Sequence, residues 1–187
     1  MIKIEITDSG VVDAFNRLIA TGENPKGTLM AIGEAAAEFT KRRFEVSADP
    51  YGTPWEPNSD TTLRAVLHRS GKNFTKKGAL SKRGQTALSG KKPLIGESKS
   101  LSTQIHHTVI GDDSVVISSS MIYAATQQFG AKQGEFGRDK RNHPIPWGDI
   151  PARPFFPDES RGLPDELNQG IADVLRAALE SSVNGQS

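Results

Sequence analysis

Residues 150–157, with the sequence IPARPFFP, constrain the fold more than any other stretch of this chain. Proline fixes its own φ and disfavours the right-handed helical region for the residue before it. The prolines at 151, 154 and 157 therefore exclude a helix and predict a stiff, extended segment. A stiff segment loses little entropy when it docks, which suits an anchor.

Arg153 lies between two of these prolines and carries a fork of donors that suits a carboxylate or backbone carbonyls. It could hold the segment on its own domain or grip a neighbouring subunit, and the first alternative is favoured. Phe155 and Phe156 could form an exposed contact, but adjacent aromatic residues before a helix more often place one ring in the core. The core is therefore the favoured place for one of the two rings.

The residues before this segment predict a short helix from Tyr123 to Gly130, where glycine ends a helix at low cost. Residues 130–149 then form a long polar stretch, which predicts a mobile loop. A loop of about 20 residues without structure is uncommon in a compact domain unless it serves a partner. This loop is accordingly expected to contact a neighbour.

Hydrophobic periodicity predicts three elements in the first part of the chain. Isoleucines at positions 2, 4 and 6 alternate with polar residues, which indicates an edge strand over residues 1–7. Apolar residues at three- and four-residue spacing predict a helix over residues 11–21 and a central helix over residues 26–43. Turn-forming residues follow, and their Tyr51 and Trp55 are expected to fold back on the central helix.

The second half predicts a β-hairpin and a last helix. Residues 101–110 alternate as one strand, residues 111–113 supply a turn, and residues 115–117 begin the return strand. Asp158 or Ser160 is expected to cap the final helix. Together the elements predict an α+β fold in which a small antiparallel sheet, made of the hairpin and the edge strand, packs on two or three helices with long loops.

The charge of the chain is concentrated in residues 58–92. The whole chain has 187 residues and a net charge of +1, but this stretch holds nine lysines and arginines and one acid, Asp60. Its charge of +8 leaves −7 for the remainder. Few large apolar residues occur here, so we expect a flexible basic insertion with a short helix over residues 61–68, within a single domain of residues 1–187. It could contact DNA, contact an acidic protein surface, or remain solvated.

Composition and motifs exclude several classes of function. The chain has no cysteine and no apolar run near the roughly 20 residues that span a membrane. It contains no nucleotide-binding, hydrolase or zinc-peptidase motif. The adjacent His106 and His107 would point to opposite faces of a strand and could not chelate one ion. The sequence therefore predicts no enzyme, no catalytic residue, no metal and no cofactor.

The chain resembles the Mu-like virion morphogenesis or tail completion proteins of tailed phages. The resemblance rests on Tyr123-Ala124, Gln127-Gln128, Phe129-Gly130 and the residues 150–155, in the order and spacing of the family signature. Residues 50–55 and 101–105 support it more weakly. The usual Thr-Gly-x-Leu appears only loosely at residues 96–101, and residues 58–90 look like an insertion.

The resemblance implies a structural virion protein that acts in tail completion and head-to-tail joining. It would form a ring of copies, six to suit a sixfold tail, at the head-proximal end of the tail. Its partners would be itself, the tail tube or terminator and head-connector proteins, in the host cytoplasm during assembly and then in the virion. A DNA-contacting neck protein that lines the channel is the alternative, and a cell-wall hydrolase would need an acid-base pair that the sequence lacks. The candidate partner-binding residues are Tyr123, Gln128, Phe129, Arg138, Lys140, Arg141, Pro151, Arg153, Pro154 and Phe155.

Overall fold

The computed structural model describes residues 25–96 and 98–184, together with Asp13 and Asn16, which are helical and exposed. The predicted edge strand and most of the predicted first helix lie outside these residues. The described part forms an α+β fold of six α-helices, two 3-10 turns and one two-stranded antiparallel sheet, as expected from the sequence. In chain order its elements are α1 (Pro25–Val46), α2 (Asp60–His68), a 3-10 turn (Gly71–Asn73), α3 (Lys82–Ser89), α4 (Ser100–Thr103), β1 (Ile105–Ile110), β2 (Ser114–Ser119), α5 (Ala124–Phe129), a 3-10 turn (Glu159–Arg161) and α6 (Asp165–Asn184).

Helix α1 is the central element, as its apolar spacing predicted. Its buried side chains at Leu29, Ile32 and Phe39 recur on one face and pack against the buried face of α6 and the apolar side chains of the hairpin. At Gly33 a Cβ would lie 2.7 Å from a methyl group of Val115. The missing side chain therefore lets the hairpin approach α1 closely. Glu166 of α6 adds ion pairs to two arginines of α1.

The hairpin forms in the predicted place, but its first strand begins later than expected. β1 and β2 pair from Ile105 opposite Ser119 to Ile110 opposite Ser114. Leu101 and Thr103, which were expected in the strand, belong to the helical turn α4 instead. Hydroxyl groups of Ser102 and Thr103 donate to the carbonyl of Lys99 there, and such local bonds compete with strand pairing.

The last helix begins at Asp165, so the predicted cap at Asp158 or Ser160 is wrong. Asp158 instead caps the 3-10 turn, where its Oδ1 accepts a bond from the Ser160 amide at 2.8 Å. Gly162 has a φ of +70°, and Pro164 disfavours a helical residue before it. Both delay the start of α6.

The two aromatic residues of the turn after α1 have different neighbours. Trp55 packs on Phe44 of α1, with ring centroids 5.4 Å apart, as predicted. Tyr51 does not cover the helix. Its hydroxyl accepts a bond from the Asp158 amide and lies within bonding distance of the carbonyls of Asp158 and Gly162, so Tyr51 is bonded to the 3-10 turn.

The basic insertion contains the predicted short helix, observed as α2, and also α3, a second helix that was not predicted. Ser81 starts α3, since its hydroxyl accepts a bond from the Gly84 amide. The flexibility of the insertion stays a prediction. Among the described helices, none combines the length and apolar character needed to cross a membrane.

Candidate partner interface

Residues 150–157, here called the docked segment, lie extended across the domain and are bonded to it on both sides. The amide of Arg153 donates to the carbonyl of Gln127 at 2.8 Å, and the Trp55 indole donates to the carbonyl of Pro154 at 2.8 Å. The Arg153 side chain donates to the carbonyls of Glu56 and Pro57, each at 2.8 Å. Arg153 is buried, and this burial lowers the pKa of its guanidinium. The favoured alternative, in which Arg153 holds the segment on its own domain through backbone carbonyls, is what the structure shows.

Gln128 of α5 provides the remaining bonds of the docked segment. Its side-chain oxygen accepts from the amides of Phe155 and Phe156 at 2.9 and 3.0 Å, and its side-chain nitrogen donates to the Phe156 carbonyl at 3.1 Å. Gln128 is itself buried. One amide side chain therefore replaces the strand that would otherwise satisfy this backbone.

The docked segment ends in an aromatic core. Phe155 and Phe156 are both buried, and Phe155 lies 5.1 Å from Phe44 and 4.8 Å from Phe156 between ring centroids. Trp55 and Leu101 complete the cluster. The sequence predicted that one ring of this pair enters the core, and the structure buries both.

Gly130 joins α5 to the loop that follows. Its φ is +76°, and a Cβ there would lie 2.7 Å from the carbonyl oxygen of Ile150 and 2.9 Å from the Ala152 amide. Only glycine combines this backbone conformation with so close an approach. The beginning of the loop is thereby held directly against the docked segment.

Residues 131–149, here called the arm, form a narrow hairpin-like structure with bonds along its length. Ala131 and Ile150 exchange both backbone bonds at the base, at 2.9 and 2.8 Å. Phe136 donates to the carbonyl of Ile145, and Asp139 to that of His143, further along. The loop that was expected to lack structure therefore has its own ladder, and its mobility stays a prediction.

Two carboxylates hold the ends of the arm. At the tip, Asp139 accepts from the His143 and Arg141 amides, and the bond from His143 is the main reason that the pKa of Asp139 is lowered. At the base, Asp149 accepts from the Gln133 amide and pairs with Lys132, and the bond from Gln133 chiefly lowers its pKa. Both carboxylates are thus stabilised in the charged form.

The arm and the helix before it carry large apolar side chains in solvent. Phe129 is 68 % exposed, Phe136 54 % and Trp147 73 %, while Ile122, Tyr123 and Ile145 are also exposed. Trp147 contacts only the ring of His143 among the aromatic pairs of the described residues, with centroids 5.2 Å apart. Large apolar side chains in solvent favour a contact with a partner, which stays a prediction.

The ten candidate residues from the sequence divide into two groups. Gln128, Arg153 and Phe155 are buried and fix the docked segment from inside, and Pro154 is half-buried in it. These side chains are not a free surface in this conformation, because their partners belong to their own chain. The exposed candidates, whose partner contacts stay a prediction, are Tyr123, Phe129, Arg138, Lys140, Arg141 and Pro151.

The apolar side chains of the arm were not among the candidates predicted from the sequence. Phe136, Ile145 and Trp147 were passed over because the stretch around them is polar and rich in glycine. That setting was itself a signal, since isolated large apolar residues in a polar loop have no core of their own to enter.

An open cleft of about 500 Å³ lies where the docked segment meets the ends of the basic insertion. Its walls include Asn58, Lys91, Tyr123, Gln127 and Asp149. In the part of the chain that the structure describes, no three His, Cys, Asp or Glu side chains gather as metal ligands would.

The sequence profile of the phage virion morphogenesis family matches residues 6–180 of the chain. No curated protein matches it, and no solved structure does.

Proposed function

Since the chain belongs to the phage virion morphogenesis family, we propose that it completes the tail and joins it to the head. In this role it forms a ring of copies at the head-proximal end of the tail. The observation that carries the proposal is the arm, which projects exposed aromatic side chains from a tightly bonded base.

The base of the arm connects the arm firmly to the rest of the domain, as a contact between subunits requires. Its two ends meet at the paired Ala131 and Ile150, and the docked segment continues directly from them into the aromatic core. Force or binding energy applied to the arm is therefore transmitted to the main body of the domain. A preordered arm also loses less entropy on binding than a disordered loop would.

Burial of the exposed rings would make binding of the arm to another protein favourable. Fully burying a phenylalanine or a similar side chain is worth about 1.5–3 kcal/mol, and aromatic residues are typical of the central contacts of interfaces. Phe136 lies on the outgoing half of the arm, and Ile145 and Trp147 lie on the returning half that pairs with it. A neighbour that covers the arm would bury all three.

The arm of one copy is proposed to lie against the next copy. A contact between two different surfaces of identical subunits closes a ring when its rotation divides the circle, and six copies would match a sixfold tail. The tail tube or terminator and the head connector would be the other partners. The role is structural and needs no cofactor, and the protein would pass from the host cytoplasm into the virion.

The double variant Phe136→Ser and Trp147→Ser tests the arm. It should keep the thermal midpoint of the native protein, because both side chains are exposed, and should reduce head-to-tail joining at least about tenfold. The matched control is Met30→Ser with Ile110→Ser, whose side chains are 52 % and 54 % exposed outside the arm. Joining is counted by electron microscopy of particles completed with each purified protein.

Two outcomes would contradict the proposal. One is normal joining by the arm variant, and the other is equal loss in the arm variant and the control. Deletion of residues 133–141 should likewise leave a folded monomer that no longer joins tails. Mass measurement of native tails should show a ring of copies, which the deletion variant does not form.

A further inference from the structure

Residues 58–92, here called the basic unit, fold largely on themselves. Helices α2 and α3 pack together with the 3-10 turn between them. Asn73 of that turn is buried, and its side chain donates to the carbonyl of Leu67 at 3.0 Å. A Cβ at Gly84 would collide with the Asn73 carbonyl oxygen, so α3 crosses the turn at a distance that only glycine allows.

The basic unit is tied to the rest of the domain near its two ends. Asn58 donates to the Lys91 carbonyl at 3.1 Å, which closes the unit, and Lys92 donates to the Glu45 carbonyl of α1 at 2.6 Å. Helices α2 and α3 make their main helix contacts with each other and with the turn between them. The unit is therefore an appendage whose outer surface is open to solvent.

Most cations of the unit are exposed and lack an ionic partner. In six of the nine, all exposed, the side chain forms neither an ion pair nor a hydrogen bond with any residue that the structure describes: Arg64, Lys72, Lys76, Lys77, Lys82 and Arg83. Lys76 and Lys77 occupy the centre of a turn closed by the bond from the Gly78 amide to Thr75. The Ser81 hydroxyl donates to the Lys72 carbonyl and so brings Lys72 close to the start of α3.

These charges do not stabilise the unit that carries them. Lys82 and Arg83 fall in the first turn of α3, which has no acidic residue and where the helix dipole disfavours cations. Burial, followed by the nearby charge of Arg69, lowers the pKa of Lys91. Because these cations lower the stability of the basic unit, we expect them to bind an anion outside the protein.

The basic unit differs from a protein-binding surface in its apolar content. Leu80 is its one large exposed hydrophobic residue within the described chain, and its only aromatic residue, Phe74, packs on His68. It thus lacks both an apolar centre for a protein interface and a free ring to stack on bases. Charges spread over a turn and two helices suit the regular phosphates of duplex DNA.

We propose that the basic unit binds the phosphate backbone of duplex DNA without sequence preference. Each contact would be a lysine or arginine on a phosphate, with release of a counterion. Phosphate contacts carry no sequence information, and the unit has no recognised groove-binding module, so the proposal includes no reading of bases. This site is separate from the arm and does not depend on the proposed ring.

Fluorescence anisotropy of the full chain with two unrelated labelled duplexes of about 30 base pairs, at about 50–200 mM NaCl, tests the proposal. Equal affinities for the two sequences are expected, with log Kd linear in log salt. Between three and six phosphate contacts would give a slope of magnitude about 3–5. No binding at the lowest salt, or a clear preference for one sequence, would overturn the proposal.

The decisive variant replaces Lys72, Lys76, Lys77 and Lys82 by glutamine. It should weaken binding at low salt at least about tenfold and reduce the slope by about 3–4. The control makes the same change of charge in the arm, at Lys132, Arg138, Lys140 and Arg141, and should keep most of the affinity and slope. Equal losses in the two variants would attribute binding to net charge alone and contradict a site.

Two further measurements separate the remaining explanations. Thermal melting followed by circular dichroism checks that both variants are folded, and the single variant Lys77→Gln, at an exposed turn position, should lower the slope by about 1 if the larger variant is unstable. Poly-L-glutamate is offered as a competitor at equal charge concentration. If it displaces the protein as well as unlabelled duplex does, the partner is an acidic protein surface and the DNA proposal fails.

Discussion

The docked segment and the arm are adjacent in sequence and opposite in physical character. In the docked segment the large side chains are buried and the polar groups are bonded to the body of the domain. In the arm the large side chains are exposed and the bonds run between its own two sides. The difference shows that the docked segment fixes the position of the arm on the domain, while the arm exposes apolar side chains to solvent.

This difference between the two regions explains why the short docked segment forms so many hydrogen bonds to the domain. An exposed arm of about 20 residues contributes little to stability, because it buries little apolar area. The docked segment supplies the attachment through Gln128, Arg153 and the aromatic core. Stability and contact are therefore expected to respond to different substitutions.

The largest expected effect separates two phenylalanines. Phe155→Ala should lower the free energy of unfolding by about 3–5 kcal/mol, because it removes a fully buried ring between Phe44 and Phe156. Phe136→Ala should change it by less than about 0.5 kcal/mol, because that ring is exposed on the arm. Urea unfolding followed by circular dichroism measures both. Similar losses in the two variants would mean that the arm is part of the core.

A smaller difference in stability is expected between substitution of the buried Arg153 and substitution of exposed lysines in the arm. Arg153→Ala leaves the carbonyls of Glu56 and Pro57 without their donor, and should cost about 2 kcal/mol of stability. Assembly should suffer as well, because the arm would lose its fixed base. Lys140→Ala and Lys132→Ala, which change exposed side chains, should each cost less than about 0.5 kcal/mol.

Unfolding midpoints and counts of joined tails should be compared for the three variants. If Arg153→Ala matched Lys140→Ala in both measurements, the bonds seen between Arg153 and residues 56–57 would contribute nothing to the position of the arm. A lysine at position 153 is a useful intermediate. It keeps the charge but lacks the fork that reaches two carbonyls, so it should restore only part of the loss.

The sequence predicted the features that depend on local geometry. Prolines 151, 154 and 157 excluded a helix, Gly130 ended one, and the apolar spacing of residues 26–43 indicated the central helix. The same local rules predicted that one ring of the pair Phe155 and Phe156 enters the core, where both are found. In each case the effect lies within one residue or one turn of the chain.

The sequence could not predict the features that depend on distant partners. Gln128 reaches Phe155 and Phe156 across 27 and 28 positions, and nothing in its own neighbourhood indicates this. The apolar character of the arm was hidden by its polar composition, and its ladder depends on pairs such as Phe136 with Ile145. The start of α6 was placed too early because Asp158 caps a 3-10 turn, and Gly162 and Pro164 separate that turn from the helix.

The smallest expected effect is a loosening of the arm alone at acid pH. Asp139 and Asp149 accept backbone bonds at its tip and base, and these bonds lower the pKa of each carboxyl below its ordinary value of 3.8. Since the folded pKa is the lower one, the stabilisation is complete above the ordinary value and is lost as the pH falls through the lowered pKa.

The docked segment is held by an amide, a guanidinium and backbone carbonyls, so it should not respond in this range. The protection factors of the Gln133 and His143 amides, which correct NMR exchange rates for their intrinsic dependence on pH, should therefore fall on acidification, while the amides of Phe155 and Phe156 remain protected. Asp139→Asn keeps an acceptor oxygen without the charge, and should remove the pH response at His143 but not at Gln133. Parallel loss of protection in the arm and the docked segment would show that the two regions open together, and would end the distinction drawn between them.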